Sequence, residues 1–273
     1  MSKISYHISQ SKRQPKQIYD SIPNPCVFRG VDYGLGQHLT GKGVKIAIID
    51  SGTPDHKDIK NVVESVDMSE TERDKIDHNG HSTMIAGVLS ANNPKSITGI
   101  STESDLYFIK VIDSNGDSSF NSLVAGVLWA VVKQVDIIVI SLGSPTNYSV
   151  LHDTIKKAYE QNICVFAAAG EKTSVIEYPS SYPEVLSVAR LKETKSNKFV
   201  SGSTGLQIAI PMGSVFTTYL HNKYTKANGS SLTTAMIAGL ASLLIQKNKE
   251  KNGKKPTPNQ IYSELTSLSY KPK

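Results

Sequence analysis

The sequence predicts a three-layer α/β protein, with a mostly parallel central sheet flanked by helices. Three observations predict it. Apolar runs at 44–50, 135–141 and 163–169 are nearly continuous and are bounded by glycines. A strand without polar alternation is one buried on both faces, as parallel strands are. Segments of helical spacing separate these runs, and strand then helix repeats along the 273 residues, the alternation that crossovers between parallel strands require.

The elements follow in order. Residues 1–25 are polar and punctuated by Pro15, Pro23 and Pro25, and read as an extension without a core of its own. Residues 26–273 read as one domain, a size that buries a substantial core. Val44 to Asp50 is a strand ending in a carboxylate. Ser82 to Ala91 has helical spacing of Met84, Ile85, Val88 and Leu89. Asp105 to Val111 is a strand. Ser122 to Lys133 is a helix with Leu123, Val127, Trp129 and Ala130 available for burial. Val135 to Ser141 is a strand, Val150 to Gln161 a helix, and Ile163 to Ala169 a strand. Val185 to Ala189 is a further strand, and Ser231 to Lys247 a long, mostly apolar helix. Near the end, Thr257, Pro258 and Gln260 form an N-cap, a first-turn proline and an N3 glutamine, so a last helix covers Ile261 to Leu265.

Composition excludes several classes. It is 38% hydrophobic and 20% charged, with 19 Gly and 12 Pro, so neither collagen, gross disorder nor a repeat array fits. Two cysteines, Cys26 and Cys164, do not make a disulfide framework. The net charge of +6 sits largely in Lys12, Arg13 and Lys16 and in Lys247 to Lys255. No aromatic interleaving accompanies these lysines, so no nucleic-acid partner is expected. The first residues lack an apolar h-region, and the longest apolar stretch, Val135 to Leu142, is too short to span a bilayer. The expectation is a soluble cytoplasmic protein with no membrane partner; release by lysis or packaging in a virus particle would leave the same sequence. Oligomeric state is not legible.

In open parallel α/β sheets, sites form at the carboxyl ends of the strands, and three groups fall there. Asp50 closes the first strong strand, where a buried carboxylate needs a partner; capping the next turn is its other reading. His81 stands at a helix start, with His78 as competitor, before the glycine and away from that start. Ser231 opens the long helix, where free backbone N–H groups and the dipole favour a developing anion; a plain N-cap is its other reading.

The segments around these residues, Lys42-Gly-Val-Lys-Ile-Ala-Ile-Ile-Asp50-Ser-Gly52, Gly80-His81-Ser-Thr-Met-Ile-Ala-Gly87 and Gly229-Ser-Ser231-Leu-Thr-Thr-Ala-Met-Ile-Ala-Gly239, resemble the three catalytic blocks of the subtilisin-like serine peptidases, in that family's order. The resemblance runs from about residue 27 to 270 and implies a serine endopeptidase of subtilisin-like fold, acting on polypeptides. It implies a triad of Asp50, His81 and Ser231 and no cofactor for the chemistry. Ser141, Leu142 and Gly143 resemble the substrate-binding strand, and the segment with Ala168 and Gly170 resembles a pocket wall. Gly116, Asp117 and Ser118 resemble the second substrate edge. Phe120 resembles the floor of the pocket for the residue three places upstream of the cleaved one, and Asp117 at that rim favours a basic side chain.

The chain also departs from the pattern. Ser82 and Met84 replace the family's glycine and second histidine, and Ala235 replaces a proline after the nucleophile. More seriously, Glu171 stands in the oxyanion region beside Ser231, where the family carries an asparagine donor. Glu171 donates only if protonated, or it points away, or it leaves a slow enzyme; the alternative function is a weak or inactive pseudopeptidase that binds peptides or partner proteins. Asp58 and Asn93, with carbonyls at Ala91, Lys95 and Ile97, resemble the family's calcium loop and imply a structural Ca²⁺, the other reading being a turn held by Asn92 and Asn93. Residues 1–25 read either as a tail or as a short inhibitory segment, with Ser21 to Pro25 crossing the cleft.

Overall fold

A computed structural model describes residues 5–7, 17–21, 26–27, 35, 38–170, 176–191 and 206–268. The chain starts with three short strands, β1 (Ser5–His7), β2 (Ile18–Tyr19) and β3 (Cys26–Val27). The core begins at β4 (Lys45–Asp50), followed by β5 (Val62–Asp67), α1 (His81–Ser90), β6 (Asn92–Asn93), β7 (Ile97–Thr98) and β8 (Asp105–Lys110). Then come β9 (Asp117–Ser119), α2 (Phe120–Val132), β10 (Ile137–Ile140), α3 (Ser149–Glu160), β11 (Cys164–Ala168), β12 (Val185–Leu191) and β13 (Leu206–Pro211). A hairpin of β14 (Val215–Tyr219) and β15 (Lys223–Ala227) leads into α4 (Ser230–Asn252), and α5 (Pro258–Leu268) closes the described chain.

Seven strands form the central sheet in the order β13-β12-β11-β10-β4-β8-β5, every neighbouring pair parallel. Alternate residues of each strand feed opposite layers, as a two-residue period dictates. Ile46 and Ile48 of β4 pack with α1, α4 and α5, whereas Ala47 and Ile49 pack with α2 and α3. Each fully buried isoleucine contributes ~1.5–3 kcal/mol of transfer free energy. That exceeds the ~1 kcal/mol span of intrinsic strand preference, so two-sided burial places β4 at the centre.

Most expected elements form within two or three residues of their expected bounds. Leu123, Val127 and Ala130 are fully buried, while Trp129 is only half-buried, against Tyr107 and under Lys133. The last helix has its capping box: Thr257 N donates to Gln260 Oε1 at 2.8 Å, and Gln260 N to Thr257 Oγ1 at 3.4 Å. α4 runs past its apolar stretch because Lys, Asn and Glu continue a helix in water, and it stops at Gly253, whose φ of 66° suits glycine.

β5, β13 and the β14–β15 hairpin have no counterpart in the sequence reading. β5 is a polar edge strand without the continuous apolar run that marks its neighbours. The hairpin turns at His221 and Asn222 with φ of 57° and 59°, a two-residue turn whose twist suits antiparallel strands.

The two described strands of the extension, and β3 at the start of the domain, each join a different sheet. β1 pairs antiparallel with β9, β2 antiparallel with β15, and β3 parallel with β7. Among the described residues, no helix is long and apolar enough to cross a membrane.

Candidate active site

Asp50 is the last residue of β4 and is fully buried. Its neighbour β10 runs alongside in register, Ile140 beside Ile49, so Asp50 and Ser141 leave the sheet side by side. Two helix starts converge above them. α1 begins at His81 itself, and His81 Nδ1 lies 2.8 and 2.9 Å from the two Asp50 carboxylate oxygens. α4 begins one residue before Ser231, whose Oγ donates to the Ser141 carbonyl at 3.4 Å. The sheet edge therefore brings all three expected residues to one corner. His78 is not among them: it is half exposed and pairs with Asp74 on the surface.

The ring is held in one sense. With Asp50 accepting at Nδ1, the neutral imidazole carries its proton there and presents Nε2 as an acceptor. Burial pushes the His81 pKa down, but the charge and hydrogen bond of Asp50, with the charge of Asp77, carry it above the ordinary value.

Asp77 is a residue to which the sequence reading gives no role. It is buried, and its Oδ1 accepts from Ser51 Oγ at 2.9 Å, Asn79 N at 3.0 Å and Gly80 N at 2.8 Å. Its Oδ2 accepts from Thr83 N at 2.8 Å and Thr83 Oγ1 at 2.6 Å. Asp77 thus satisfies the free donors at the start of α1, and Ser51 Oγ accepts from Ser82 N at 2.9 Å. Gly52 lets the two loops dock: its φ is 130°, and a Cβ there would meet the Ile76 carbonyl at 2.8 Å. Below them, the fully buried Lys110 beside Asp50 donates to Ile76 O at 2.6 Å and pairs with Glu72 at 2.5 Å. Burial alone would raise the Glu72 carboxyl, yet the bonds from Lys110 and Ser114 hold it below the ordinary range. A carboxylate a few residues before a helix start is the signal that marks Asp77 in sequence; nothing local marks Lys110 as buried.

The expected substrate residues divide between two places. Ser141, Leu142 and Gly143 follow β10, and Ala168 ends β11 just before Gly170. The two stretches are joined through residues 177–178: Ser144 and Tyr178 exchange backbone bonds of 2.9 and 2.8 Å, and Glu177 N donates to Ala169 O at 3.5 Å. Gly116 and Asp117 lead into β9, and Phe120 opens α2 against the Tyr148 ring, centroids 4.4 Å apart. The edge at Asp117 carries β1; residues 22–25 of the stretch expected to cross the cleft lie outside the described residues. Glu171 lies outside the described residues.

Asp58 and Asn93 do meet, but as acceptor and donor. Asp58 Oδ1 accepts from Asn93 Nδ2 at 2.8 Å, and Oδ2 accepts from Ser96 Oγ and Tyr224 OH, both at 2.7 Å. Burial would raise the Asp58 carboxyl, and these three donors hold it below its ordinary value. Asn93 Oδ1 accepts from Lys95 N, and the Ala91 carbonyl from Gly99 N. Oxygens turned toward donors do not suit a cation that needs six or more of them, so this set does not fit calcium. No cluster of three or more His, Cys, Asp or Glu suited to a metal occurs among the described residues.

An Asp–His pair beside a helix-borne serine, at the carboxyl edge of a parallel sheet, is the make-up of a serine hydrolase of the α/β class. The subtilase family matches residues 41–267, and the chain belongs to it, a family of serine endopeptidases. Subtilisin DY of Bacillus licheniformis is 34% identical over 235 residues, 83% of this chain and 85% of that protein. An intracellular serine protease of Paenibacillus polymyxa is 29% identical over 281 residues, 96% of this chain and 83% of that one. Minor extracellular protease Epr of Bacillus subtilis (strain 168) is 35% identical over 216 residues, 77% of this chain; the chain spans a third of its length.

Proposed function

We propose that this chain hydrolyses peptide bonds through an acyl-enzyme on Ser231. The observation that carries the reading is the Asp50–His81 pair, with both carboxylate oxygens within 2.9 Å of Nδ1. In this mechanism His81 Nε2 takes the Ser231 proton as Oγ attacks the carbonyl carbon. The imidazolium then returns that proton to the leaving amine, and water repeats the sequence to release the acid. Asp50 fixes the tautomer and stabilises the charged ring, which the raised His81 pKa favours. Ser231 stands in the first turn of α4, where the positive end of the helix dipole favours the oxyanion that develops beside it.

Two features qualify the rate. Glu171, in place of the family's asparagine, lacks a donor unless protonated; loss of one oxyanion donor costs about 3 kcal/mol, on the order of a hundredfold or more. β1 lies antiparallel on β9, the edge on which an extended substrate would pair, so substrate competes with the chain's own residues 5–7. Glu171 also favours a second reading, a peptide-binding protein without turnover.

Intact-mass spectrometry after treatment with a serine-directed fluorophosphonate tests the two. The peptidase reading expects one adduct on the wild type and none on Ser231→Ala. A folded wild type without an adduct would favour the second reading.

A further inference from the structure

Both arms of the β14–β15 hairpin reach the site. β14 lies across the start of α1: Thr218 Oγ1 donates to Thr83 O and Thr217 Oγ1 to Met84 O, each at 2.6 Å. A Cβ on Gly87 would stand 2.3 Å from both hydroxyls and 2.7 Å from Thr218 N, and one on Gly80 would stand 2.4 Å from the Tyr219 ring. The strand therefore touches α1 at residues on either side of His81. β15 ends at Ala227, and the chain passes through Asn228 and Gly229 into α4 and Ser231. Asn228 Nδ2 donates to Ser214 Oγ at 2.9 Å and closes the base of the hairpin. A shift of the hairpin thus displaces His81 and Ser231 relative to Asp50, which is fixed in the central sheet.

A two-stranded hairpin is marginal in water, and a third strand secures it. Here the third strand is β2, in the order β14-β15-β2. Tyr19 pairs with Tyr224 and Ile18 with Thr225. Thr225 is fully buried, and its Oγ1 donates to Gln17 O at 2.6 Å. The Tyr19 ring meets Phe216 of β14 edge-on, centroids 5.4 Å apart, so β2 holds both arms. The turn is tied elsewhere: Lys57 N donates to Asn222 Oδ1 at 2.6 Å, and His56 Nε2 lies 3.0 Å from Lys223 O.

We propose that Gln17, Ile18 and Tyr19 are positioning residues: docked on β15, they hold the hairpin where His81 and Ser231 align for turnover. This rests on the endopeptidase reading. It gives the two described strands of the extension opposite effects. β1 covers an edge that substrate needs, whereas β2 covers an edge that the site needs. A misplacement of about 1 Å between reacting groups costs on the order of a hundredfold, so loosening by a fraction of that costs roughly tenfold.

The test undocks each strand in the full chain. Ile18→Pro combined with Tyr19→Pro removes the N–H donors of β2, and Tyr6→Pro does the same to the middle of β1. Steady-state kinetics on an extended peptide are normalised to Ser231 sites titrated with fluorophosphonate, so unfolded protein does not count. The β2 variant is expected to lose about tenfold in kcat with KM little changed. Tyr6→Pro is expected to lower KM and hold kcat. Tyr19→Phe keeps the ring against Phe216 and is expected to retain kcat. A β2 variant with kcat within about twofold of wild type overturns the proposal, and so does an equal loss in Tyr6→Pro. A folded wild type that neither labels nor turns over defeats the endopeptidase reading separately. Hydrogen exchange at residues 81–87 then decides: exchange about tenfold faster in the β2 variant supports the bracing, and equal exchange overturns it.

Discussion

Asp77→Asn tests whether a carboxylate one step removed from the chemistry positions His81. Five donors converge on Asp77 at 2.6–3.0 Å. The isosteric amide keeps one acceptor oxygen and must aim its own N–H₂ at the rest. If the oxygen stays with Ser51, Asn79 and Gly80, the Thr83 hydroxyl rotates to accept, but Thr83 N loses its partner. One buried N–H without an acceptor, with the charge-assisted bonds weakened, costs about 2–3 kcal/mol. In a domain of this size that lowers Tm by roughly 5–10 °C. The charge matters separately. Asp50 and Asp77 are the carboxylates that act on His81, and Tyr219, packed against Gly80, is neutral, its pKa raised by burial and by Asp77. Removing the Asp77 charge lowers the His81 pKa, so the acid limb of kcat/KM against pH moves to lower pH. Thermal unfolding by circular dichroism and a pH–rate profile read the two effects. A Tm within about 1 °C of wild type, together with an unmoved acid limb, would refute the positioning role.

Four further outcomes are expected. Glu171→Asn restores a donor and raises kcat by about a hundredfold; no gain in steady-state assays would sink the missing-donor account. Removing residues 1–16 takes away an intramolecular competitor at an effective concentration of roughly millimolar, so KM for an extended peptide falls; an unchanged KM would mean that β1 does not contest the edge. Chelation by EDTA leaves Tm unmoved, because donors rather than a cation satisfy Asp58, while Tyr224→Phe lowers stability by about 1–2 kcal/mol. A rise in Tm with added calcium would contradict the first of these.

The strands at β4, β10 and β11 were legible because two-sided burial demands an unbroken apolar run, which local sequence displays. The same holds for the helix starts at His81 and Ser231, whose glycine-flanked motifs sit beside apolar helical spacing, and for the Thr257–Gln260 box. β5 and the β14–β15 hairpin were not legible in that way: an edge strand needs no apolar run, and a hairpin on the surface is held by pairing rather than by its own burial.

The sequence by itself determined the fold class and the family, and it singled out Asp50, His81 and Ser231 as the candidates, since each lies inside a contiguous motif. Only the tertiary structure decided what stands around them. Asp77 is tied to Ser51 across 26 residues and Asp58 to Tyr224 across 166, and Glu177 meets Gly143 only because β10 and β11 lie side by side. It likewise decided that Ser5–His7 lie on the β9 edge. The physical reason is common to all four: a carboxylate or a strand edge takes whichever partner the fold brings within 3 Å, and chain distance carries no record of that partner.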